Sequence, residues 1–279
     1  MQVKDHTVSG EYFQIVECDQ CHFRFTQDVP DAEHMAPYYN SENYISHTNT
    51  SKGIINRLYQ VVRKITLKQK RRMIMSLTGK GKGNLLDVGS GTGAFAAEMN
   101  LYGWEVTGLE PDEGARKIAK EMNKMQLRDI SEFHNLPENS FDAITLWHVL
   151  EHVHDLNGYM QKFCCLLKPD GKLFIAVPNY DSVDAIIYKE NWAAYDVPRH
   201  LYHFSPSVMR KLVEQHGMTV MKYLPMWFDS YYISLLSSGY KYGKTKMAEA
   251  FIAGMRSNWK ALFNTQKCSS VIYVIEKQN

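Results

Sequence analysis

One turn constrains this chain more than anything else in it. The apolar run 84–88, Asn-Leu-Leu-Asp-Val, leads directly into Gly89-Ser90-Gly91-Thr92-Gly93, and the helix-favouring run 94–99 follows. Glycines leaving a strand let the backbone turn tightly and approach a ligand with no Cβ in the way. The pattern then repeats without the glycines: strand 104–109, helix 112–123, strand 141–146, helix 156–167, strand 172–177. Strands alternating with helices predict right-handed crossovers and a parallel sheet with helices on both faces. Sheets of this α/β class bind ligands at the carboxyl ends of their strands, so the strand-to-helix loops are the places to look for chemistry.

Composition narrows the class. With 44% hydrophobic residues, 17 glycines and 5 cysteines in 279 residues, the chain is neither disordered, collagenous nor a disulfide scaffold. The net charge of +2 conceals a polarised distribution. Residues 52–82 carry ten basic and no acidic residues, and the rest carries 22 basic against 30 acidic. A broadly nucleic-acid-binding surface is therefore excluded, while the basic stretch is expected to be an amphipathic helix with Ile54, Leu58, Val61 and Ile65 inward and an outer face suited to an anionic surface. No secretory h-region opens the chain and no 18-residue uncharged apolar run occurs in it, which predicts a cytoplasmic protein without a transmembrane segment. Cys18, Cys21, Cys164, Cys165 and Cys268 suit unpaired thiols. Cys18 and Cys21 supply half of a zinc site, which His6, His22 or His34 would have to complete; a zinc-free turn is the preferred reading.

Three further loops carry candidate residues. Glu110-Pro111 ends the second strand, 21 residues after Gly89, where a carboxylate can accept ribose hydroxyls. Asp129-Ile130 pairs an acceptor with an apolar side chain, suited to an adenine. The fourth loop, Trp147-His148-Val-Leu-Glu151-His152, formally matches the inverted zincin pattern H-x-x-E-H, but it follows a parallel strand and no third ligand is evident.

Taken in order, Asp87 to Gly93, Glu110, Asp129, Ser140-Phe-Asp142, His148 to His152, Leu167-Lys-Pro-Asp-Gly171 and Val177-Pro-Asn179 resemble the motifs of class I S-adenosylmethionine-dependent methyltransferases over residues 84–220. The resemblance implies a Rossmann-like seven-stranded sheet whose last antiparallel strand is 269–276. It also implies S-adenosylmethionine as cofactor, with Asp87, Gly89, Ser90, Gly91 and Gly93 under the methionine part, Glu110 and Pro111 at the ribose, Asp129 and Ile130 at the adenine, and Trp147 and His148 beside the sulfonium. Related quinol O-methyltransferases carry a metal-binding E-x-x-E-H in the fourth loop; His148 replaces its first glutamate here, and no metal is assigned.

The sulfonium already activates the methyl group, so the protein must align an acceptor, exclude water and take up a proton. Residues 192–205 are dense in His and aromatic side chains and resemble both the P-R-H-L-x-x-F-[ST] stretch of one methyltransferase branch and the E-H-x-x-x-F region of sugar C-methyltransferases. On that resemblance His200 is the base, and Trp192, Arg199, Tyr202 and His203 line the acceptor site. The expected reaction is O- or C-methylation of a small molecule. The alternatives are an NAD-dependent oxidoreductase, against which the G-x-G-x-G spacing speaks, and a non-catalytic nucleotide-binding scaffold. Residues 51–279 are expected to form the catalytic domain. Residues 1–50 are read as an irregular aromatic appendage resembling the remnant of a zinc module with two C-x-x-C pairs, and 226–240, with Trp227, Phe228, Tyr231 and Tyr232, as either a cover for the acceptor or core.

Overall fold

The computed structural model describes residues 1–39 and 54–278. Tyr44 and Lys52 lie outside them, as do the side chains of Ile54, Arg57 and Leu58. Strands β4 (Asn84–Val88), β5 (Glu105–Leu109), β6 (Phe141–Trp147), β7 (Leu167–Pro178), β9 (Met218–Pro225) and β10 (Ser270–Lys277) form a sheet in the order β5-β4-β6-β7-β10-β9. The pairs among β5, β4, β6 and β7 are parallel, and β10 runs antiparallel to both neighbours. Helices α2 (Ala94–Leu101), α3 (Glu113–Asn123) and α4 (Leu156–Leu166) supply the crossovers. Both sheet faces are covered, so strand positions are apolar on both sides. Leu86, Val88, Ile144, Leu146, Ile175 and Val177 join one core, and Leu85, Ala143, Phe174 and Val274 join another with Phe95 and Trp104.

Six strands stand where seven were expected. The missing edge strand beside β5 is reduced to a single parallel bridge between Leu109 and Arg128. Lys124 in the left-handed region closes α3, and Asp129 already caps the next turn, which leaves room for one residue to run alongside β5.

Helix α1 (Ile54–Thr78) forms as the periodicity predicts, but its inward face differs. Val61 is 53% exposed and Ile65 41%, whereas Ile74 is fully buried and packs with Trp104 and Phe174, with Leu67 and Leu77 against the same cluster. Among the described side chains of α1, the inward row is Arg63, Leu67, Lys70, Arg71 and Ile74.

The N-terminal residues are not irregular. Strands β1 (Gln2–Lys4), β2 (Tyr12–Glu17) and β3 (Arg24–Thr26) form an antiparallel sheet that β8 (Tyr202–His203) extends. The N-terminus is thereby joined to the 192–205 loop. After α5 (Val183–Tyr188) and α6 (Pro206–Gln215), residues 229–263 form a hairpin of α7 (Asp229–Tyr242) and α8 (Met247–Phe263) between β9 and β10. No described helix is long and apolar enough to cross a membrane.

Candidate active site

The glycine turn sits at the carboxyl end of β4. Gly89, Gly91 and Gly93 adopt φ of 70°, 53° and 72°, a region that costs any residue with a Cβ. At Gly89 the demand is also spatial, because a Cβ would come within 2.4 Å of Val149 Cγ2. The Gly91 N–H donates to Glu110 Oε2 at 2.7 Å and the Asp112 N–H to Oε1 at 3.0 Å, so Glu110 reaches across from β5 onto the turn. Burial pushes its pKa above the usual carboxylate value despite those two N–H groups. Pro111 follows it at the surface. Ser90 donates to the Asp87 carbonyl at 2.8 Å.

Asp87 is buried on the α1 side of the sheet. Its Oδ1 accepts from Thr145 Oγ1 at 2.7 Å, its Oδ2 has no partner, and burial pushes its pKa up to about 6. The indole N–H of Trp147 on neighbouring β6 is equally buried and unpartnered. A buried donor and a buried acceptor left open together mark a place where a polar ligand completes the structure.

Two cations missed from the sequence converge there. Arg63 Nη2 donates to Thr92 Oγ1 of the turn at 3.2 Å, and Lys70 Nζ lies 3.9 Å from the centroid of the Trp147 ring. Burial lowers Lys70 to about 8. The spacing of Leu67, Lys70, Arg71 and Ile74 carries this signal, on the face of the helix opposite Val61 and Ile65.

His148 occupies the left-handed region with φ of 58° and bridges two carboxylates, with Nε2 3.0 Å from Asp229 Oδ2 on α7 and Nδ1 3.4 Å from Glu151 Oε1. Burial alone would lower its pKa, but the two carboxylates prevail and hold it at about 10. The inverted zincin reading fails on geometry. Residues Leu150–His152 form a 3-10 turn, so His148 and His152 do not share a helix face, and both ring nitrogens of His148 face carboxylates.

His152 and His200 approach Glu151 instead. Donor atoms from these three lie within 4.8 Å of one another. Glu151 is buried; its Oε1 faces His148 at 3.4 Å, and neither oxygen makes a hydrogen bond of normal geometry. His152 Nδ1 bonds the Arg199 carbonyl at 3.0 Å and His200 Nδ1 the Ala194 carbonyl at 2.9 Å. A carbonyl only accepts, so each Nδ1 carries a hydrogen and Nε2 is the ring atom left for another partner. Burial, with His200 adding to it, lowers His152 to about 4. A backbone-anchored imidazole beside a buried carboxylate is the donor set a divalent ion takes, so these residues fit such an ion although none was assigned to them from sequence. Among the described residues, the histidines that could complete a site with Cys18 and Cys21 have other partners: His22 bonds Glu17, His34 bonds Asp31 and His6 stacks on Tyr240.

Of the expected acceptor-site residues, Trp192, Tyr202 and His203 line one tightly packed cleft with His200, with no room for a water-sized group between them. Each also has structural partners. Trp192 Nε1 donates to Asp184, Tyr202 stacks on Phe23, and His203 Nε2 lies 3.0 Å from Thr26 Oγ1, with burial holding its pKa well below the usual value. Arg199 is corrected more fully. It is buried, and its donors go to Asp5, Asp196 and the Tyr38 carbonyl, so it clamps the N-terminal strands to the loop rather than facing an acceptor. Asp129 caps the turn at Ser131 and pairs with Arg116 at 2.7 Å, with Ile130 packed against the main core.

A family model described as a methyltransferase domain matches residues 59–223, more than half of the chain. The chain belongs to the methyltransferase domain family. The domain is 34% identical over 158 residues to the ubiquinone biosynthesis O-methyltransferase of Coxiella burnetii strain Dugway 5J108-111, covering 52% of this chain and 67% of that protein. It is 26% identical over 164 residues to the human mitochondrial ubiquinone biosynthesis O-methyltransferase, covering 53% of this chain. The match spans 44% of the human protein, less than half of that relative. In fold the domain resembles the 1,6-didemethyltoxoflavin-N1-methyltransferase of Burkholderia thailandensis, solved with 1,6-didemethyltoxoflavin and S-adenosylhomocysteine, with a TM-score of 0.52, 15% identity, and coverage of 95% of this chain and all of that one.

Proposed function

We propose that this methyltransferase domain moves the methyl group of S-adenosylmethionine to a hydroxyl of a small aromatic acceptor, with His200 receiving the proton. The acceptor oxygen attacks the methyl carbon, the carbon–sulfur bond breaks with its electron pair going to sulfur, and the hydroxyl proton passes to Nε2. The observation that carries this reading is the open polar place at the ends of β4 and β6, where Asp87 Oδ2 and Trp147 Nε1 lack partners beside the glycine turn. Asp87 suits the cofactor's ammonium, Arg63 and Lys70 its carboxylate, Glu110 and Pro111 its ribose, and Asp129 with Ile130 its adenine. The names of the Coxiella and human relatives support a quinol or catechol acceptor over a sugar. The test is turnover of labelled S-adenosylmethionine against catechol and sugar acceptors, with calorimetry of S-adenosylhomocysteine and NADH. Tighter binding of NADH, or no methylated catechol, would overturn it.

The meeting of the buried Glu151 carboxylate with two imidazoles within 4.8 Å supports a second reading, in which Glu151, His152 and His200 hold a divalent cation. Such an ion, when bound, supplies Lewis acidity that lowers the pKa of an acceptor hydroxyl. In that case His200 is a ligand and not the base. Metal analysis of the purified protein and of Glu151→Gln separates the two readings. The exposed row Lys64, Lys68, Arg72 on α1 supports contact with an anionic surface, which salt dependence of the kinetics would test.

A further inference from the structure

Helix α8 is amphipathic in an inverted sense. The face packed on the body is built from small residues, with Ala250, Ala253, Gly254, Ser257 and Ala261 buried. At Gly254 a Cβ would lie 2.8 Å from Tyr231 Cδ1, so α8 and α7 pack closely. The large apolar side chains point the other way: Met247, Phe251, Met255, Trp259, Leu262 and Phe263 are between 47% and 77% exposed. Their positions recur at i, i+4, i+8, i+12, i+15 and i+16, a single stripe along 17 residues. A helix of that length runs about 25 Å. Contiguous apolar surface of this extent is unusual on a protein that meets only water and marks a contact surface.

Charge and residue type select the occupant. Residues 229–263 carry Lys241, Lys244, Lys246, Arg256 and Lys260 against only Asp229 and Glu249. Asp229 faces inward to His148, and Glu249 pairs with Lys246 at 3.0 Å. Arg256 and Lys260 form no ion pair among the described residues and flank the stripe. An aromatic and aliphatic face bordered by unpaired cations matches the boundary between acidic lipid headgroups and acyl chains. A two-fold contact with a second copy would instead bring like-charged flanks together across a self-complementary patch. We propose that the exposed face of α8 is a peripheral docking surface for an anionic lipid bilayer, on which the helix lies flat. Asn258 of α8 bonds the Trp227 carbonyl at 2.8 Å and Ser230 Oγ at 2.9 Å, so the docked helix adjoins the start of α7, where Asp229 meets His148. The inference does not depend on the methyl-transfer reading.

The test is co-sedimentation of the full chain with vesicles of phosphatidylcholine alone and of phosphatidylcholine with 30% phosphatidylglycerol. Expected are binding at least about tenfold tighter to the anionic vesicles, weakening in 0.5 M salt, and a loss of about tenfold or more in W259E/F263E. Arg256→Gln with Lys260→Gln should remove most of the anionic preference while leaving the apolar contribution. W259S/F263S, with far-UV circular dichroism and S-adenosylhomocysteine calorimetry, shows whether the fold is kept. Equal sedimentation of W259E/F263E and the unaltered protein would overturn the proposal. So would a wild-type dimer in sedimentation velocity that W259E/F263E dissociates, with no vesicle binding by either.

Discussion

Arg199 Nη2 and Asp5 Oδ1 meet at 2.9 Å with side chains 1% and 0% exposed, joining positions 194 residues apart. Burial alone would raise the pKa of Asp5, but Arg199 and the N–H groups of Ser9 and Thr7 hold it at about 2. The pair fastens the N-terminal sheet to the loop that presents His200. Without Asp5, Arg199 keeps Asp196 and the Tyr38 carbonyl, so what is lost is charge-assisted hydrogen bonding worth about 1.5–3 kcal/mol. Asp5→Ala should therefore destabilise the domain by that order in urea unfolding, and Asp5→Asn, which keeps an acceptor oxygen, should lose less. An unchanged midpoint for Asp5→Ala would show that the pair contributes nothing.

Gly89 and Gly91 make a matched comparison. Both have positive φ, but a Cβ at Gly89 meets Val149, whereas at Gly91 it enters open space. Gly89→Ala should cost about 1–3 kcal/mol of strain and abolish measurable S-adenosylhomocysteine binding. Gly91→Ala should lose less stability, and thermal melting with calorimetry on both variants reads the difference.

Lys70 rests on Trp147 without a carboxylate in ion-pair range among the described residues. If it receives the cofactor's carboxylate, Lys70→Met should weaken S-adenosylhomocysteine by roughly tenfold or more, the weight of a charged hydrogen bond. The melting temperature without ligand should stay the same or rise, since the variant removes a buried charge. A titration showing unchanged affinity would assign Lys70 to packing alone.

Asp142 accepts from the Asn84 N–H at 2.8 Å, from Lys168 at 2.8 Å and from Lys80 at 2.5 Å. Burial would raise its pKa, yet these partners together depress it from 3.8 to about 2. A depressed carboxylate contributes stability that is present above its unfolded value and lost as pH falls through its folded value. The contribution should be complete above about pH 4 and vanish between about 4 and 2, with a size near 1 kcal/mol after solvent screening of the two lysines. Melting of wild type and Asp142→Asn across that range should converge at the acid end and diverge above pH 4.

Local order determined a great deal here. The apolar runs that became β4, β5, β6 and β7 were legible because a strand buried on both faces is apolar nearly throughout, β10 only through the family resemblance, and the crossovers because 3.6-residue periodicity and caps are local. Gly89, Gly91, Gly93 and Glu110 could be named from spacing for the same reason: a turn and the strand beside it are set by neighbours in the chain. Tertiary structure decided what long-range packing controls. It placed Lys70 rather than Val61 on the inner face of α1, since only the sheet's position says which side of a helix meets the core. It gave His148 to Asp229, 81 residues on, and Arg199 to Asp5, 194 residues back. Glu151, His152 and His200 came together only because β8 brings its loop onto the turn after β6. An ion pair or a donor cluster depends on side chains meeting in space, and that meeting is a property of the packed chain rather than of any stretch of it.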